Sequence, residues 1–298
     1  MSLKTLNNII RSYRKVYRNY IGTLFTLYIR MKVSRMKDIK IKVLLKNRKS
    51  LVVPYGWVTS YARLMNIENS NIQNLELTNL GITFQYKGKK VTIDPARFSD
   101  PDAVFFREEY RFLKVKDKDV IDIGMNIGDS SIYFSLNGAE RVIGLEPYLY
   151  AFLIANKNVS LNNIDNIITL NAGYGKDQNV IVNSEYINNT GSSLAVSEKG
   201  KEISIFSLKT LINKYNIAHI VLKMDCEGCE YALLNEDDLV FKSIEAIQIE
   251  YHYGYENLVS KLKGLGFDVK YTEPKHSFNP DAENPNMELG YIYAKRRT

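Results

Sequence analysis

Apolar residues recur along this chain with two periods, and the place where one gives way to the other divides it. From Leu6 to Met31, the residues Leu6, Ile9, Tyr13, Val16, Tyr17, Tyr20, Leu24, Leu27 and Met31 fall three and four apart. Arg11, Arg14, Lys15 and Arg18 lie off that stripe, so the segment predicts an amphipathic helix. Ile39 to Leu45 alternates as a strand does, Trp57 to Met65 suits a short helix, and Leu75 to Ile93 offers two or three strands around Gly81 and Lys87-Gly88. Together these predict a small N-terminal α+β region over residues 1–95, ended by a connector at Asp94-Pro95 and Asp100-Pro101.

In residues 96–298, short apolar runs alternate with helical patterns. Strands are expected near Val120–Ile123, Arg141–Leu145, Ile167–Asn171, His219–Met224 and Ile244–Tyr251. Helices are expected near Asp129–Leu136, Leu149–Asn158, Leu208–Tyr215, Glu227–Leu234 and Glu256–Leu265. Such alternation gives an α/β domain with a doubly wound, mostly parallel sheet. Two further strands, Phe267–Thr272 and Gly290–Ala294, complete seven and are joined by a Pro- and Asn-rich loop with no helix. A helix-free return makes the last strand antiparallel, and an edge position is expected for it. The stretch from Gly175 to Phe206, rich in Asn, Ser and Val, reads as a hairpin or flap over the carboxyl ends of the strands.

Charge changes this picture at one end only. The whole chain carries a formal net charge of +7, but residues 1–50 hold 14 Lys or Arg and a single acid, Asp38, a net of +13 that leaves the rest at −6. The N-terminal helix is expected to pack on the rest of the protein or on a second subunit in a homo-oligomer, with a membrane-surface helix as the alternative, and the basic arm is expected to meet a membrane surface, a nucleic acid or an acidic partner. No apolar run reaches the length a transmembrane helix needs, the longest candidate being Tyr20 to Ile29 with basic residues on both sides. Cys226 and Cys229 form a C-x-x-C that could be a redox pair or half of a zinc site, but no second pair or His pair supplies the remaining ligands, and they are expected to pack as small hydrophobes at a helix start. With no disulfide framework and no secretory signal, the expected location is the cytoplasm, with peripheral attachment to a membrane left open.

Ligands of open α/β sheets bind at the carboxyl ends of the strands, so the residues that end each strand matter most. Asp122-Ile-Gly-Met-Asn-Ile-Gly-Asp129 follows the apolar run Val120–Ile123. Its glycines allow a tight turn and close backbone approach, and a helix start faces the ligand. Glu146, 18 residues beyond Gly128, ends the next strand, where its carboxylate can accept both hydroxyls of a ribose. Acids recur at the following strand ends, in Lys223-Met-Asp225-Cys-Glu227-Gly-Cys-Glu230 and in Glu250-Tyr-His252.

These four blocks resemble, in order, the signatures of the FkbM-type family of S-adenosylmethionine-dependent methyltransferases: V-I-D-x-G-A-N-x-G-D, the acid-bearing second motif around Arg141–Pro147, K-x-D-x-E-G-x-E, and a strand-five E-x-H. The resemblance covers roughly residues 105 to 270 and implies the Rossmann-like class I methyltransferase fold. Met125 in place of the usual alanine and the two cysteines depart from it, and Met125 is expected to narrow the space near the cofactor. By this resemblance, Asp122, Gly124, Asn126, Gly128 and Asp129 would hold the methionine end of S-adenosylmethionine. Glu146 and Pro147 would sit at its ribose, Asn171 and Ala172 at its adenine, Tyr110 would close the pocket, and Asp225 would lie beside the transferable methyl. The sulfonium is already activated, so the enzyme must align an in-line attack and remove the acceptor proton. Asp225, Glu227, Glu250 and His252 are the candidate bases, Mg²⁺ held by Asp225 and Glu250 is a further expectation, and Glu230 is expected to be a solvated helix position.

The implied activity is O-methylation of a sugar or glycan precursor. Two rivals stay open at this point: an RNA methyltransferase using the basic arm, and a non-catalytic scaffold. Against the former stand the absence of an aromatic-stacking signature and of an N-P-P-Y or D-P-P-Y motif.

Overall fold

A computed structural model describes residues 3–33, 40–96, 101–182, 194, 196, 198–278 and 285–297. The chain forms two compact units, Met1–Glu108 and Glu109–Thr298.

In the first unit the long amphipathic pattern becomes two helices, α1 (Leu3–Val16) and α2 (Tyr20–Val33). The helix breaks where a hairpin, β1 (Lys40–Leu44) with β2 (Ser50–Pro54), offers other hydrogen-bond partners. Arg18 N–H donates to the Leu44 carbonyl at 2.7 Å, and Asn19 Oδ1 accepts Leu44 N–H at 2.9 Å. Tyr13, Val16, Tyr17 and Leu27 of the expected stripe are buried, and the Tyr17 hydroxyl donates to the Val58 carbonyl at 2.8 Å. Helix α3 (Tyr55–Leu64) follows, then an antiparallel meander of β3 (Ile72–Leu77), β4 (Ile82–Tyr86) and β5 (Lys89–Ile93). The unit runs past the division expected at residue 95. Asp102 accepts from Arg63 at 2.6 Å, and Asn69 Nδ2 donates to the Phe106 carbonyl at 2.9 Å, holding residues 102–108 to it. Residues 97–100 of the expected connector lie outside the described residues.

The second unit alternates as expected: β6 (Asp119–Ile123), α4 (Asp129–Leu136), β7 (Arg141–Leu145), α5 (Leu149–Leu161) and β8 (Ile167–Leu170). A small side sheet follows, made of β9 (Ala172–Tyr174), β10 (Gln178–Val182) and β11 (Lys201–Phe206), after which α6 (Leu208–Tyr215) returns the chain to the main sheet. The remainder is β12 (Ile220–Met224), β13 (Ile244–Tyr251), α7 (Glu256–Gly264), β14 (Phe267–Tyr271), β15 (Lys275–Phe278) and β16 (Asn286–Arg296). The main sheet runs β8-β7-β6-β12-β13-β16-β14, parallel along β8, β7, β6, β12 and β13, with β16 antiparallel to both its neighbours. Its central strands are near-continuous apolar runs such as Ile220–Met224, all buried, which suits strands covered on both faces.

Three expectations need correction. The last strand is antiparallel, but it sits inside the sheet between β13 and β14, because Met287, Ile292 and Ala294 give it an apolar set that must be buried. The loop before it carries β15, paired with the start of β16, and residues 279–284 lie outside the described residues. The expected helix at 227–234 is a 3-10 helix over Cys229–Asn235. The stretch read as a hairpin or flap holds a β10–β11 hairpin on the side sheet, as one of those two readings has it, and residues 183–193 lie outside the described residues. Among the described residues, no helix is long and apolar enough to cross a membrane.

Candidate active site

The turn after β6 is built from residues that tolerate positive φ: Gly124 at 74°, Asn126 at 48° and Gly128 at 81°. A Cβ at Gly124 would lie 1.9 Å from the Asp225 carbonyl oxygen, so only glycine lets β6 and the end of β12 approach this closely. The turn is tied to β7, because the Leu145 carbonyl accepts the N–H groups of Gly124 and Met125, each at 3.0 Å. Glu146 completes the tie by accepting Asn126 N–H at 3.0 Å and Tyr148 N–H at 2.9 Å. Burial pushes the Glu146 carboxyl up to about 7 in spite of those two N–H donors.

Glu146 opens onto a cavity at the carboxyl ends of the strands. Gly124, Asn126, Glu146, Pro147, Ala172 and Asp225 line it as the sequence led us to expect. Tyr174 and Leu194 add apolar wall that the motifs did not signal. Asp122, Asp129, Gly128, Asn171 and Tyr110, also expected at the site, do not line the cavity. Asp122 is fully buried, accepts the hydroxyls of Ser130 and Ser131 at 2.6 and 2.7 Å, and lies 3.0 Å from Lys223 Nζ. Lys223, overlooked as a site residue, is buried, donates to the Gly124 carbonyl at 2.6 Å and lies 5.6 Å from the Tyr110 ring centre. Burial would lower its pKa, yet Asp122 and its neighbours hold it above the usual lysine value. Asp129 is pushed up to about 7 by burial against the pull of Lys223. Gly128 caps α4 and abuts Ala155, while Asn171 Nδ2 donates to the carbonyls of Glu146 and Pro147 at 3.0 and 2.9 Å. Met125 is also turned away from the cavity: it is fully buried against Gly144, where a Cβ would meet its sulfur at 2.4 Å. It does not narrow the cofactor space as expected.

The candidate bases meet because β12 and β13 are parallel, with Met224 opposite Ile249, so that Asp225 and Glu250 end neighbouring strands. Between Asp225 and Glu230 the chain turns through Glu227 at φ 57° and Gly228 at φ 115°. Cys226 and Cys229 close this turn as a disulfide, where free thiols were expected, and both face the cavity beside Glu227. That pairing removes the cysteine argument for a reducing compartment. Glu230 also departs from expectation: it is fully buried and accepts Gly228 N–H, His252 N–H and His252 Nδ1–H, each at 2.9 Å. The other ring nitrogen, Nε2, lies 3.4 Å from Glu227 Oε2.

Carboxylates on both sides decide the charge of this histidine. Burial lowers its pKa, but the Glu230 hydrogen bond and the charges of Glu230, Glu227 and Asp225 prevail and hold it at about 9. Glu227 is raised to about 7, chiefly by burial, with His252 opposing. Glu250 is raised to about 8, by burial and then by Asp225. Near neutral pH the cluster therefore holds an imidazolium with carboxyls poised between their two states. Ligand-capable atoms of Asp225, Glu227 and His252 lie within 4.8 Å of one another, a set that does not include Glu250.

Residues 122–269 match the model of the methyltransferase FkbM domain. A candidate protein N5-glutamine methyltransferase of Methanocaldococcus jannaschii is 39% identical over 51 residues, 17% of this chain and 26% of that protein, so the chain spans about a quarter of this curated relative. Among solved structures, M. jannaschii TYW2 in complex with AdoMet aligns with a TM-score of 0.41 at 15% identity, covering 77% of this chain and 92% of that one. A candidate transferase from Pyrococcus horikoshii aligns with a TM-score of 0.40 at 14% identity, covering 93% and 100%. The glycine turn, Glu146 and the acidic block all lie inside residues 122–269, so this segment of the chain carries a methyltransferase FkbM domain.

Proposed function

We propose that this protein is an S-adenosylmethionine-dependent O-methyltransferase that acts on a hydroxyl of a sugar or glycan precursor. The observation that carries the reading is the junction of two features in one place: a cradle around Glu146 and a cluster of proton acceptors, Asp225 and Glu227, on the same cavity wall. The cradle suits the cofactor on its own chemistry. Glu146, fixed by two backbone donors, presents a carboxylate for a ribose diol, and Pro147, Tyr174 and Leu194 give the apolar wall a purine needs. When bound, S-adenosylmethionine supplies an electrophilic methyl group.

A sugar hydroxyl is a poor nucleophile until its proton is shared, so a base must face it. Glu227 fits that role: it lines the cavity, its pKa of about 7 matches the working range, and the His252 imidazolium beside it steadies the ionised form. His252 already holds its proton, which suits it to orienting Glu227 and excludes it as the acceptor of a second proton. The acids that gather here also favour a neutral polyhydroxyl acceptor, because they can accept its hydroxyl protons in hydrogen bonds and they repel the phosphates of RNA. Labelled S-adenosylmethionine incubated with purified protein and separated glycan, lipid, protein and RNA fractions tests this. Label on an alkali-stable methyl ether in the glycan fraction is expected, and label confined to RNA or to glutamine side chains would overturn the acceptor assignment.

A metal-assisted variant has a specific observation behind it. Asp225, Glu227 and His252 form a set of divalent-cation donors, and Glu230 on Nδ1 would buttress His252 as a ligand through Nε2. Full activity in excess chelator would dismiss this variant, and loss restored by Mg²⁺ would support it.

A further inference from the structure

Burial of the N-terminal stripe leaves a second apolar surface uncovered. Tyr13, Val16, Tyr17 and Leu27 turn inward, whereas Ile21 and Phe25, one turn apart on α2, are 68% and 65% exposed, and Tyr28, nearly one turn further, is 57% exposed. Large apolar side chains in a row at helical spacing are not ordinary solvent surface. Their surroundings are strongly basic. Arg11, Arg14 and Arg18 are exposed on α1 and the corner after it, and Arg18 lies three residues before Ile21. Lys46 N–H donates to the Val16 carbonyl at 3.0 Å, which brings the end of the β1–β2 hairpin, with exposed Lys46 and Arg48, to the same corner. Residues 3–33 and 40–54 contain no Asp or Glu at all.

We propose that this face of the first unit docks on an anionic lipid bilayer, with Ile21 and Phe25 entering the headgroup and acyl boundary while Arg14, Arg18 and Lys46 meet lipid phosphates. An apolar row beside a cationic rim is what a helix lying in a membrane interface presents. Charge decides against the other occupants. A second copy placing the same face against this one would set two strongly basic surfaces together. A nucleic acid would answer the basic rim but gives exposed isoleucine nothing to bury against.

The test is co-sedimentation of the full chain with phosphatidylcholine vesicles, with and without phosphatidylglycerol, over a range of salt, for wild type, for the Ile21→Asp/Phe25→Asp double variant, and for Arg14→Ala, Arg18→Ala and Lys46→Ala. All five positions are exposed, and circular dichroism checks that the variants fold. Binding is expected only with phosphatidylglycerol and should weaken as salt rises. Loss in the double variant of more than ten-fold is expected, and about five-fold for each basic side chain removed, the equivalent of ~1 kcal/mol per charge. Equal binding to both vesicle types, no binding to either, or binding unchanged in the double variant would overturn the proposal. So would a dimer in solution that the double variant abolishes in the absence of vesicle binding.

Discussion

Glu230 is the residue whose place differs most between sequence and structure, and in the proposed reaction it acts through His252. In a sequence, a glutamate beside a helix start reads as solvated; in the fold its carboxylate takes the backbone and ring N–H of a histidine 22 residues away, a pairing no local pattern announces. Replacing it by glutamine keeps an acceptor but removes the charge. In Glu230→Gln the upper limb of the pH profile of kcat/KM should move down from about 9 toward the ordinary histidine range, and an unmoved limb would separate His252 from the reaction. With Glu227 as the proposed base, the lower limb is expected to follow its carboxyl. Wild-type activity should rise with pH to a plateau above about 7, and Glu227→Gln should lose at least about 10²-fold in kcat with little change in cofactor affinity. The same shifts act on stability. Because the fold raises the His252 pKa from 6.5 to about 9, its ion pairing stabilises fully below 6.5 and is lost as pH rises through 9. The stability gap between wild type and His252→Gln, measured by denaturant titration, should therefore shrink by roughly 2–3 kcal/mol across that window.

At the scale of elements, the glycine turn and the acidic loop form one device, joined where Gly124 meets the Asp225 carbonyl. Gly124→Ala must either push β6 from β12 or abandon its positive φ, and should cost on the order of 2–4 kcal/mol in stability along with cofactor affinity. The acidic loop is held by the Cys226–Cys229 disulfide across Glu227 and Gly228. Closing so short a loop constrains the unfolded chain by roughly 2 kcal/mol, and it also fixes the path that sets Glu227 against His252. Reduction, or Cys226→Ser with Cys229→Ser, should lower kcat several-fold and leave cofactor affinity nearly unchanged in a filter-binding assay; equal losses in both would mean that the cradle depends on the pair. The parallel strands were legible because buried central strands are near-continuous apolar runs, as in Ile220–Met224, which Lys223 alone interrupts. The inward placement of β16 was not, since a strand's neighbours depend on long-range pairing, and the break between α1 and α2 was not, since it comes from the β1–β2 hairpin and not from a proline or glycine at the bend.

Over the whole molecule, the chain assigns its charge and its chemistry to different units. The first carries the basic surface, and the second carries the methyltransferase domain with its acidic cavity. What the sequence disclosed was the backbone-dependent part: Gly124, Asn126, Glu146, Ala172 and Asp225, named from the motifs and the family resemblance, all line the cavity. It hid the parts that depend on side chains crossing between elements, such as Lys223 under the glycine turn, Asn171 turned onto β7, and Tyr174 and Leu194 brought in by the side sheet. In the proposed reaction this cavity binds S-adenosylmethionine through Glu146 and presents its methyl group for transfer. Isothermal titration of the full chain with S-adenosylmethionine and with S-adenosylhomocysteine tests it most directly, using Glu146→Ala as the control. Saturable binding of both, weakened at least about ten-fold by the loss of a charge-assisted ribose contact in Glu146→Ala, is the predicted result. Absence of binding for either compound by folded wild-type protein would contradict it.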